Sequence, residues 1–471
     1  MKMFLGGEWK EKDRRIEVKN PFDGAVLDTV PLADEADVEA ALAGAVEGAR
    51  IMRAMSGFER GKILRRAAEL MRQREGDLGR TISLEEGKVL SEGQFEASRA
   101  TETMELSAEE ARRLTGEVLP LDGAPGGEGK LGFTLRVPCG VVVAITPFNF
   151  PLNLVCHKVG PALAAGNAVI VKPASDTPLS ALGLVRILLE AGLPPLAIGC
   201  VTGAGAAVGE RLCADPRVRK ISFTGSRDVG ERITRTAGIK RVTLELGSNS
   251  PLIVMDDADL GQVAKAVAAT GFANAGQTCI STQRVIVAGE VYGELVERIT
   301  AEAKAITVGD QLDPAVKMGP MIREKDAQRV GEWIDEAVGR GARVLTGGKR
   351  RGTLFEPTVV ADVDPRMRIS CDELFGPAVA VLRVSGIEEA ISLANDSRYG
   401  LSAGIFTQDI GKAMRFAKQV DCGNLHINWG PQWRADLMPY GGLKESGLGK
   451  EGPRYAVAEM SELKTVIVHG L

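Results

Sequence analysis

The regular alternation of short apolar runs with helical segments is the sequence feature that most constrains the fold. From Val137 onward, the β-branched runs VVVAIT, AVIVKP, KISFTG and RVTLELG are separated by segments with helical periodicity. This alternation is typical of βαβ units, and the strands are apolar throughout because helices cover both faces of a parallel sheet. A second series begins at SPLIVMDD and extends to GIEEAISLANDSRYGLSAGIF. We therefore predict an α/β fold with two doubly wound parallel-sheet domains.

Two further segments are predicted to form a small β element. Residues 119–138 contain a Gly-rich turn followed by an alternating segment, and residues 455–471 end in a similar run, LKTVIVHGL. Both have the pattern of exposed strands that need a partner, and an unpaired strand edge favours association. We expect these segments to be the oligomerisation strands of a homodimer or homotetramer.

Composition and charge favour a protein that acts on small molecules. The chain has 471 residues and a formal net charge of −4, because 58 basic residues nearly balance 62 acidic ones. That balance indicates neither a nucleic acid nor a membrane as a partner. The seven cysteines are scattered without a C-x-x-C pair, and the three histidines are far apart. We therefore expect reduced thiols, no metal and a cytoplasmic location.

Cys279 and Glu245 are the first candidates for catalysis. Cys279 lies in FANAGQTCIS, where a helical pattern gives way to a strand, and such a junction can present a thiol to a cleft. Glu245 ends the apolar run VTLELG, and a carboxylate in apolar surroundings has a raised pKa suited to a general base. Each residue alone is also compatible with a structural role, Cys279 as a buried thiol and Glu245 in a buried ion pair.

Two segments that follow strands are candidates for binding. PFNFP comes directly after VVVAIT, at the strand end where open α/β sheets bind ligands, and the amide of Asn149 could donate to a developing oxyanion. FTGSRDVG offers Gly225, Ser226 and Gly230, whose backbone N–H groups at a helix start could meet phosphates. Loop packing is the alternative for Asn149, and FTGSRDVG is not the G-x-G-x-x-G fingerprint.

In combination, these motifs resemble the aldehyde dehydrogenase superfamily. PFNFP, VKPAS, FTGS, LELG, GQTC, ELFGP and MPYGGLKESGLG occur in that family's order and spacing over essentially the whole chain. The chain is similar to the branch of lactaldehyde, non-phosphorylating glyceraldehyde-3-phosphate, phosphonoacetaldehyde and succinic semialdehyde dehydrogenases. The resemblance implies that an aldehyde is oxidised to a carboxylic acid while NAD(P) is reduced. It also implies a Rossmann-like cofactor-binding domain at residues 1–118 and 139–247 and a catalytic domain at residues 248–443.

The resemblance assigns a role to each matching residue. Cys279 would be the nucleophile, and Glu245 the base that activates water to hydrolyse the thioester. Asn149 and the backbone N–H of Cys279 would form the oxyanion hole, and Lys158 would help to relay the proton of Glu245. The residues assigned to the cofactor cleft are Thr146, Pro147, Phe148, Lys172, Ser175, Gly205, Phe223, Gly225, Ser226, Leu246, Glu373 and Phe375.

Ser175 favours NADP as the cofactor. NAD-preferring members often place a glutamate three residues after the lysine of VKPAS, where this chain has Ser175. A carboxylate about 4 Å from the 2′-phosphate would repel it by roughly 4 kcal/mol per unit charge at an effective dielectric constant of about 20. We therefore predict that NADP is preferred and that NAD is tolerated. LELGSNSP also departs from the commoner LELGGKSP at Ser248 and Asn249, to which the sequence assigns no role.

The predicted substrate is a small polar or anionic aldehyde of the lactaldehyde, glyceraldehyde phosphate or phosphonoacetaldehyde type. His157 and Arg434 recur in relatives that act on such aldehydes, and Thr278 and Ile280 flank the nucleophile. The alternative is that Arg434 pairs with Asp436 or another carboxylate and that His157 only packs.

Other functions remain open at this point. Relatives that oxidise succinic semialdehyde tend to carry arginine where this chain has His157 and Ala273. Dehydrogenases that transfer the thioester to coenzyme A commonly lack the glutamate of LELG. A cofactor-independent thiol hydrolase would leave FTGS, VKPAS and ELFGP without a role. A non-catalytic member of the fold is disfavoured by the joint presence of Cys279, Glu245 and Asn149.

Overall fold

The computed structural model describes residues 1–203 and 205–470, and its first large sheet is predominantly parallel. The strands of this sheet, in spatial order, are Glu8–Lys10, Met3–Leu5, Ile198–Cys200, Ala168–Lys172, Val141–Ile145, Val218–Thr224, Arg241–Glu245 and Gly447–Leu448. The five central strands are parallel, and antiparallel strands are added at both edges. The expected doubly wound parallel sheet is therefore confirmed, with antiparallel edges that the alternation did not predict.

The strand order of the first sheet determines where a ligand can bind. The chain begins the parallel part of the sheet at Val141–Ile145, proceeds outward through two strands on one side, and then crosses over to Val218–Thr224 on the other side. The crevice between those two strands is a topological switch point, where open α/β sheets bind ligands beyond the carboxyl ends of the strands. PFNFP follows the first of these strands, and FTGS spans the end of the second.

The second large sheet has the same general plan. Its strands, in spatial order, are Arg343–Thr346, Thr358–Ala361, Ala378–Val384, Arg284–Ala288, Pro251–Val254, Ser402–Phe406 and Asn424–Ile427. All neighbouring pairs are parallel except the first, which is antiparallel. Buried apolar side chains cover both faces of the sheet, which explains the continuous apolar runs of its strands.

A third sheet contains both predicted oligomerisation segments. Its strands are Ser461–His469, Lys130–Pro138 and Val118–Leu119. The first two pair antiparallel along nine residues each, from Ser461 opposite Pro138 to His469 opposite Lys130. The segments that were expected to need a partner therefore pair with each other inside one chain. The outer strand still exposes Leu463 and Ile467, and the assembly of this sheet with another copy stays a prediction.

Helices cover both large sheets. Those in the described part of the chain are Glu35–Ala54, Gly57–Gln73, Glu75–Glu86, Leu90–Ala111, Asn153–Ala164, Leu179–Glu190, Glu210–Ala214, Arg227–Ala237, Leu260–Gly271, Tyr292–Lys304, Glu324–Gly339, Arg368–Cys371, Ile387–Asn395, Ile410–Gln419 and Pro453–Glu459. Capping boxes at Asp34 and Ser56 start the first two. None of the described helices is long and apolar enough to cross a membrane.

Three short two-stranded antiparallel sheets complete the described structure. Arg15–Lys19 pairs with Val26–Pro31, Arg350–Arg351 with Leu354–Phe355, and Tyr399–Gly400 with Leu443–Lys444. The last pair attaches the segment that carries MPYGG to the residues just before the second-sheet strand Ser402–Phe406. Gly447–Leu448 then joins the first sheet beside Glu245. This segment is thereby held against both sheets.

Candidate active site

A cavity of about 930 Å³ lies at the carboxyl ends of the first sheet's strands and is also lined by loops and helices that adjoin the second sheet. It brings together most of the residues that the sequence singled out. The predicted residues in its lining are Thr146, Pro147, Phe148, Asn149, Lys172, Gly205, Phe223, Gly225, Ser226, Glu245, Leu246, Thr278, Cys279, Ile280, Glu373, Phe375 and Arg434. The predicted residues Lys158, His157 and Ser175 are not part of this lining.

Cys279 follows an unusual turn. The helix Leu260–Gly271 ends, and Asn274, Ala275 and Gly276 then adopt φ angles of 50°, 52° and 69°. A side chain at Gly276 would place its Cβ 2.1 Å from the carbonyl oxygen of Gly376, so only glycine fits there. The turn reverses the chain and leaves the Cys279 thiol partly exposed in the cavity.

The thiol of Cys279 has one close polar neighbour. Its Sγ lies 3.1 Å from the hydroxyl of Tyr440, and the two residues pack with Ile280 and Leu401. Burial raises the pKa of the Cys279 thiol above its usual value, and the hydrogen bond with Tyr440 opposes that rise. The thiol is therefore protonated at neutral pH in this state, and forming the thiolate requires stabilisation from the site.

Glu245 is the last residue of the strand Arg241–Glu245 and is 2% exposed. Within the described structure, neither carboxylate oxygen has a hydrogen-bond partner. Burial raises the pKa of Glu245 well above its usual range, and the nearby charge of Glu451 raises it further. An unpartnered carboxyl group in a cavity is suited to accept a proton from water, as the sequence interpretation requires.

Asn149 lies opposite Cys279 with its side chain held in place. One amide hydrogen of Nδ2 is donated to the carbonyl oxygen of Gln277, at 2.8 Å. The main-chain carbonyl of Asn149 accepts from the buried ammonium of Lys88, at 2.6 Å, and Lys88 also forms an ion pair with Glu96 at 2.7 Å. The second amide hydrogen remains available for a carbonyl oxygen bound beside Cys279.

A direct proton relay would require a hydrogen bond between Lys158 and Glu245, but the described structure has none. Its ammonium donates to Glu451, at 2.6 Å, and to the hydroxyl of Thr224, at 2.7 Å. Burial would raise the pKa of Glu451, but Lys158 and Arg434 lower it to about 2. Lys158 therefore acts on Glu245 through charge at a distance, and its direct partner is a carboxylate that the sequence did not indicate.

Arg434 and His157 belong to the same buried network. Arg434 donates to Glu451 through Nη1 at 3.2 Å and through Nη2 at 3.3 Å, and its Nη2 lies 3.2 Å from Nδ1 of His157. His157 contacts Asp436 through Nε2, at 2.8 Å, and burial lowers the pKa of His157 to about 4. Arg434 therefore forms an ion pair with Glu451, a carboxylate other than Asp436. Arg434 also lines the cavity, whereas His157 contacts Arg434 but is not part of the lining.

The far end of the cavity is built around the start of the helix Arg227–Ala237. Ser226 precedes this helix, and its side chain makes no capping hydrogen bond in the described structure. The N–H groups of Gly225 and Gly230 were predicted to meet phosphates, but they donate to the carbonyls of Glu245 and Ser226 at 3.0 Å each. The N–H groups free for an anion are those that open the helix, beginning at Ser226.

Other features of this end fit a dinucleotide. A Cβ at Gly225 would lie 2.6 Å from the Phe223 ring, and a Cβ at Gly247 would lie 2.3 Å from the Glu373 carboxylate, so both glycines keep the cavity open. Lys172 donates to the carbonyl of Pro173 at 2.8 Å, and burial lowers its pKa to about 8. The ammonium of Lys172, the N–H groups at the helix start and the space left by Gly225 and Gly247 together suit a bound diphosphate.

Three predicted cofactor contacts, Phe148, Phe375 and Glu373, line the same cavity. The rings of Phe148 and Phe375 meet edge to face, with centroids 5.9 Å apart. Glu373 accepts from the backbone N–H of Ser248 at 3.0 Å, and burial raises the pKa of Glu373 to about 7. Ser175 instead donates its hydroxyl to the carbonyl of Gly203, at 2.9 Å, outside the cavity lining.

The structure gives Ser248 and Asn249 a role that the sequence did not. The Asn249 amide donates to the carbonyls of Ser370 and Cys371, at 3.0 and 3.2 Å, and its oxygen accepts from Arg284 at 3.1 Å. These bonds fix the loop before the strand Pro251–Val254 to the segment that carries Glu373. The pair therefore shapes the wall of the cavity.

The sequence reasoning missed Tyr440, Glu451 and Lys88. Tyr440 lies in MPYGG and Glu451 soon after SGLG, so the motif was noted while its polar side chains were not assigned. The contacts of Cys279 with Tyr440 and of Lys158 with Glu451 join segments more than 160 residues apart, and Lys88 reaches Asn149 from 61 residues away. In the described part of the chain, no cluster of His, Cys, Asp or Glu is placed to hold a metal ion.

Comparisons with known proteins agree on one family. The model of the aldehyde dehydrogenase family matches residues 9–466. The chain is 44% identical over 467 residues to the 3-sulfolactaldehyde dehydrogenase of Priestia aryabhattai, covering 99% of this chain and 98% of the relative. It is 38% identical to the lactaldehyde dehydrogenase of Methanococcus vannielii over all of both chains. The NADP-dependent glyceraldehyde-3-phosphate dehydrogenase of Bacillus halodurans, solved in complex with NADP, superposes with a TM-score of 0.97 at 37% identity, covering 100% of this chain and 99% of that one.

Glu451 is predicted to hold the site together. Replacing it with glutamine (Glu451→Gln) leaves Lys158 and Arg434 buried without their shared counter-charge, and we expect the free energy of unfolding to fall by about 3 kcal/mol or more. Urea unfolding at neutral pH measures the change. Glu336→Gln is the matched control, because Glu336 is exposed and forms only a surface ion pair with Arg340, at 3.9 Å. Equal stability of the two variants would contradict the role of Glu451.

Proposed function

We propose that this chain oxidises a small anionic or polar aldehyde to its carboxylate through a thioester on Cys279. The chain belongs to the aldehyde dehydrogenase family and is an NAD(P)-dependent oxidoreductase. The observation that carries the proposal is one cavity whose lining includes Cys279, Asn149 and Glu245 together with Lys172 and the helix start at Ser226. One bound aldehyde and one bound dinucleotide can therefore meet beside the thiol.

The chain's own groups supply each step at the carbonyl. The thiolate of Cys279 adds to the carbonyl carbon, and the C=O π electrons move to the oxygen, where the free amide hydrogen of Asn149 and the backbone N–H of Cys279 bind the negative charge. NADP or NAD, held by Lys172 and the helix start at Ser226, would supply the hydride acceptor for this carbon. Glu245 then takes a proton from water as the oxygen of water attacks the thioester, and the Cys279 sulfur departs as the thiolate.

The cofactor end supports NADP over NAD. Lys172 supplies a cation, and the helix start at Ser226 supplies N–H groups for the diphosphate, while Glu373 and Phe375 lie toward Cys279. No carboxylate occupies position 175, so the repulsion that a glutamate there would exert on a 2′-phosphate is absent. The structural relative solved with NADP supports the same preference.

Arg434 supports an anionic or hydroxylated substrate. Its Nη atoms are used by Glu451 and His157, but in the described structure its buried Nε has no partner. The cavity next to it is also lined by Arg99, Gln432 and Thr278. A sulfonate, phosphate, carboxylate or hydroxyl group on the aldehyde would satisfy these donors, which agrees with the sulfolactaldehyde and lactaldehyde named for the relatives.

The first test is the rate of NADPH and NADH formation with lactaldehyde, sulfolactaldehyde, glyceraldehyde 3-phosphate, phosphonoacetaldehyde, succinic semialdehyde and propanal. We expect kcat/KM for the preferred anionic aldehyde to exceed that for propanal by about tenfold or more, because a hydrogen bond to a charged group forms only with the former. Cys279→Ala should lower the rate by about a thousandfold or more, whereas the half-buried Cys422→Ala should not. Oxidation of propanal as fast as of every anionic aldehyde would contradict the substrate class, and an active Cys279→Ala variant would contradict the mechanism.

Glu245→Gln is predicted to separate the two halves of the reaction. Glutamine cannot accept a proton, so about one equivalent of NADPH per site should form quickly and steady turnover should fall by about 10² to 10⁴-fold. In the wild type, the steady rate should rise with pH as Glu245, whose pKa is raised by burial, loses its proton. Stopped-flow measurement checks the burst, and the exposed Glu336→Gln is the control. Steady turnover of Glu245→Gln at the wild-type rate would exclude Glu245 as the base.

We also propose that the chain forms a homodimer or a tetramer of dimers through its third sheet. The strand Ser461–His469 is an edge strand with exposed apolar side chains at Leu463, Ile467 and Val468. An edge of that kind favours pairing with a second copy. Sedimentation velocity should therefore show a dimer or larger species, and a monomer at micromolar concentration would contradict the proposal.

A further inference from the structure

Tyr440 is the side chain that hydrogen-bonds to the sulfur of Cys279 in the described structure. Its hydroxyl oxygen lies 3.1 Å from Sγ, within hydrogen-bond distance for sulfur, and both residues line the cavity. Tyr440 is only 3% exposed, so water does not compete freely for this contact. None of the roles proposed above for Cys279, Glu245 and Asn149 uses this hydroxyl group.

Tyr440 is held rigidly at this distance. Its backbone N–H donates to the carbonyl of Glu451 at 3.1 Å, and the Glu451 N–H donates back at 2.7 Å. The guanidinium carbon of Arg434 lies 4.0 Å from the centre of the Tyr440 ring, and Leu401 packs in the same small cluster. The hydroxyl is therefore directed at the sulfur by a backbone bridge on one side and a cation over the ring on the other.

The charges that face Cys279 do not all favour a thiolate. Glu373 and Glu245 act against a negative sulfur, and Arg434 acts in favour of it. Burial raises the pKa of Tyr440 well above its usual range, so its hydroxyl keeps its hydrogen over the whole working pH range. A permanently protonated hydroxyl next to a sulfur that must lose its proton can act as a donor in that form.

We propose that Tyr440 is a catalytic residue whose hydroxyl donates a hydrogen bond to the Cys279 sulfur in its thiolate form. The thiol proton leaves to solvent water, the hydroxyl hydrogen turns toward the sulfur, and no bond within Tyr440 is broken. When the sulfur attacks the carbonyl carbon, the sulfur lone pair that accepted the hydrogen bond becomes the new S–C bond. The hydrogen bond from Tyr440 then weakens. This role rests on Cys279 being the nucleophile, as proposed above.

The test is the pH dependence of Cys279 alkylation by iodoacetamide in the wild type and in Tyr440→Phe. Cys279 is the only cysteine in the tryptic peptide 266–284, so mass spectrometry reports on it alone. We expect the midpoint to rise by about one pH unit, and the rate below the wild-type midpoint to fall about tenfold. The limiting rate at high pH should not fall, because a thiolate without the donor is at least as nucleophilic. A merely structural change would lower the rate at every pH.

Tyr292→Phe is the matched control, since it removes a buried hydroxyl that donates to Asp362, away from the cavity. Its alkylation profile should match the wild type. An unchanged midpoint in Tyr440→Phe would overturn the proposal. If that variant does not fold, the same titration on protein with 3-fluorotyrosine at its four tyrosines decides: the more acidic hydroxyl should lower the midpoint, and no shift would overturn the proposal. Alkylation needs neither aldehyde nor cofactor, so its outcome is independent of whether any aldehyde is oxidised.

Discussion

The buried ion pairs of Glu451 are the interaction on which the rest of the site depends. One carboxylate oxygen binds Lys158 from the helix Asn153–Ala164, and the other binds Arg434 from the loop before MPYGG. Burying charges costs free energy unless each is paired and hydrogen-bonded, so these three side chains stabilise the fold only as a set. The set joins the first sheet's helix to the segment that carries Tyr440. Its geometry therefore fixes what stands next to the Cys279 sulfur.

The same network shifts the pKa values of two neighbouring carboxyl groups, Glu451 and Glu245, in opposite directions. Glu451 accepts from two cations, and its pKa is lowered to about 2, whereas Glu245 has no hydrogen-bond partner in the described structure and its pKa is raised by burial. The negative charge of Glu451 itself raises the pKa of Glu245. A permanently charged carboxylate and one that can exchange a proton thus arise from the same residue type through their surroundings. Lys158 contributes by holding Glu451 charged.

The sequence predicted those parts of the molecule that follow from local pattern. Apolar runs separated by helical segments identified the parallel strands, and the motifs at strand ends identified Asn149 and Glu245, because the carboxyl ends of parallel strands meet at one edge. Partners that depend on side-chain direction could not be predicted. The contact of Cys279 with Tyr440 and the preference of Lys158 for Glu451 are of this kind. Likewise, only the folded backbone shows that the Gly225 N–H is already bonded to a carbonyl.

The loop and helix start at residues 86–96 support the nucleophile and the oxyanion donor together. Asn274, in the left-handed turn before Cys279, donates its side-chain amide to Glu86, at 2.9 Å, and its backbone N–H to Glu92, at 3.2 Å. A left-handed non-glycine residue costs about 1 to 2 kcal/mol, and these bonds offset that cost. Lys88, in the same segment, holds the carbonyl of Asn149. Because both walls beside the reacting carbonyl are attached to one segment, their separation stays fixed even though they come from different sheets.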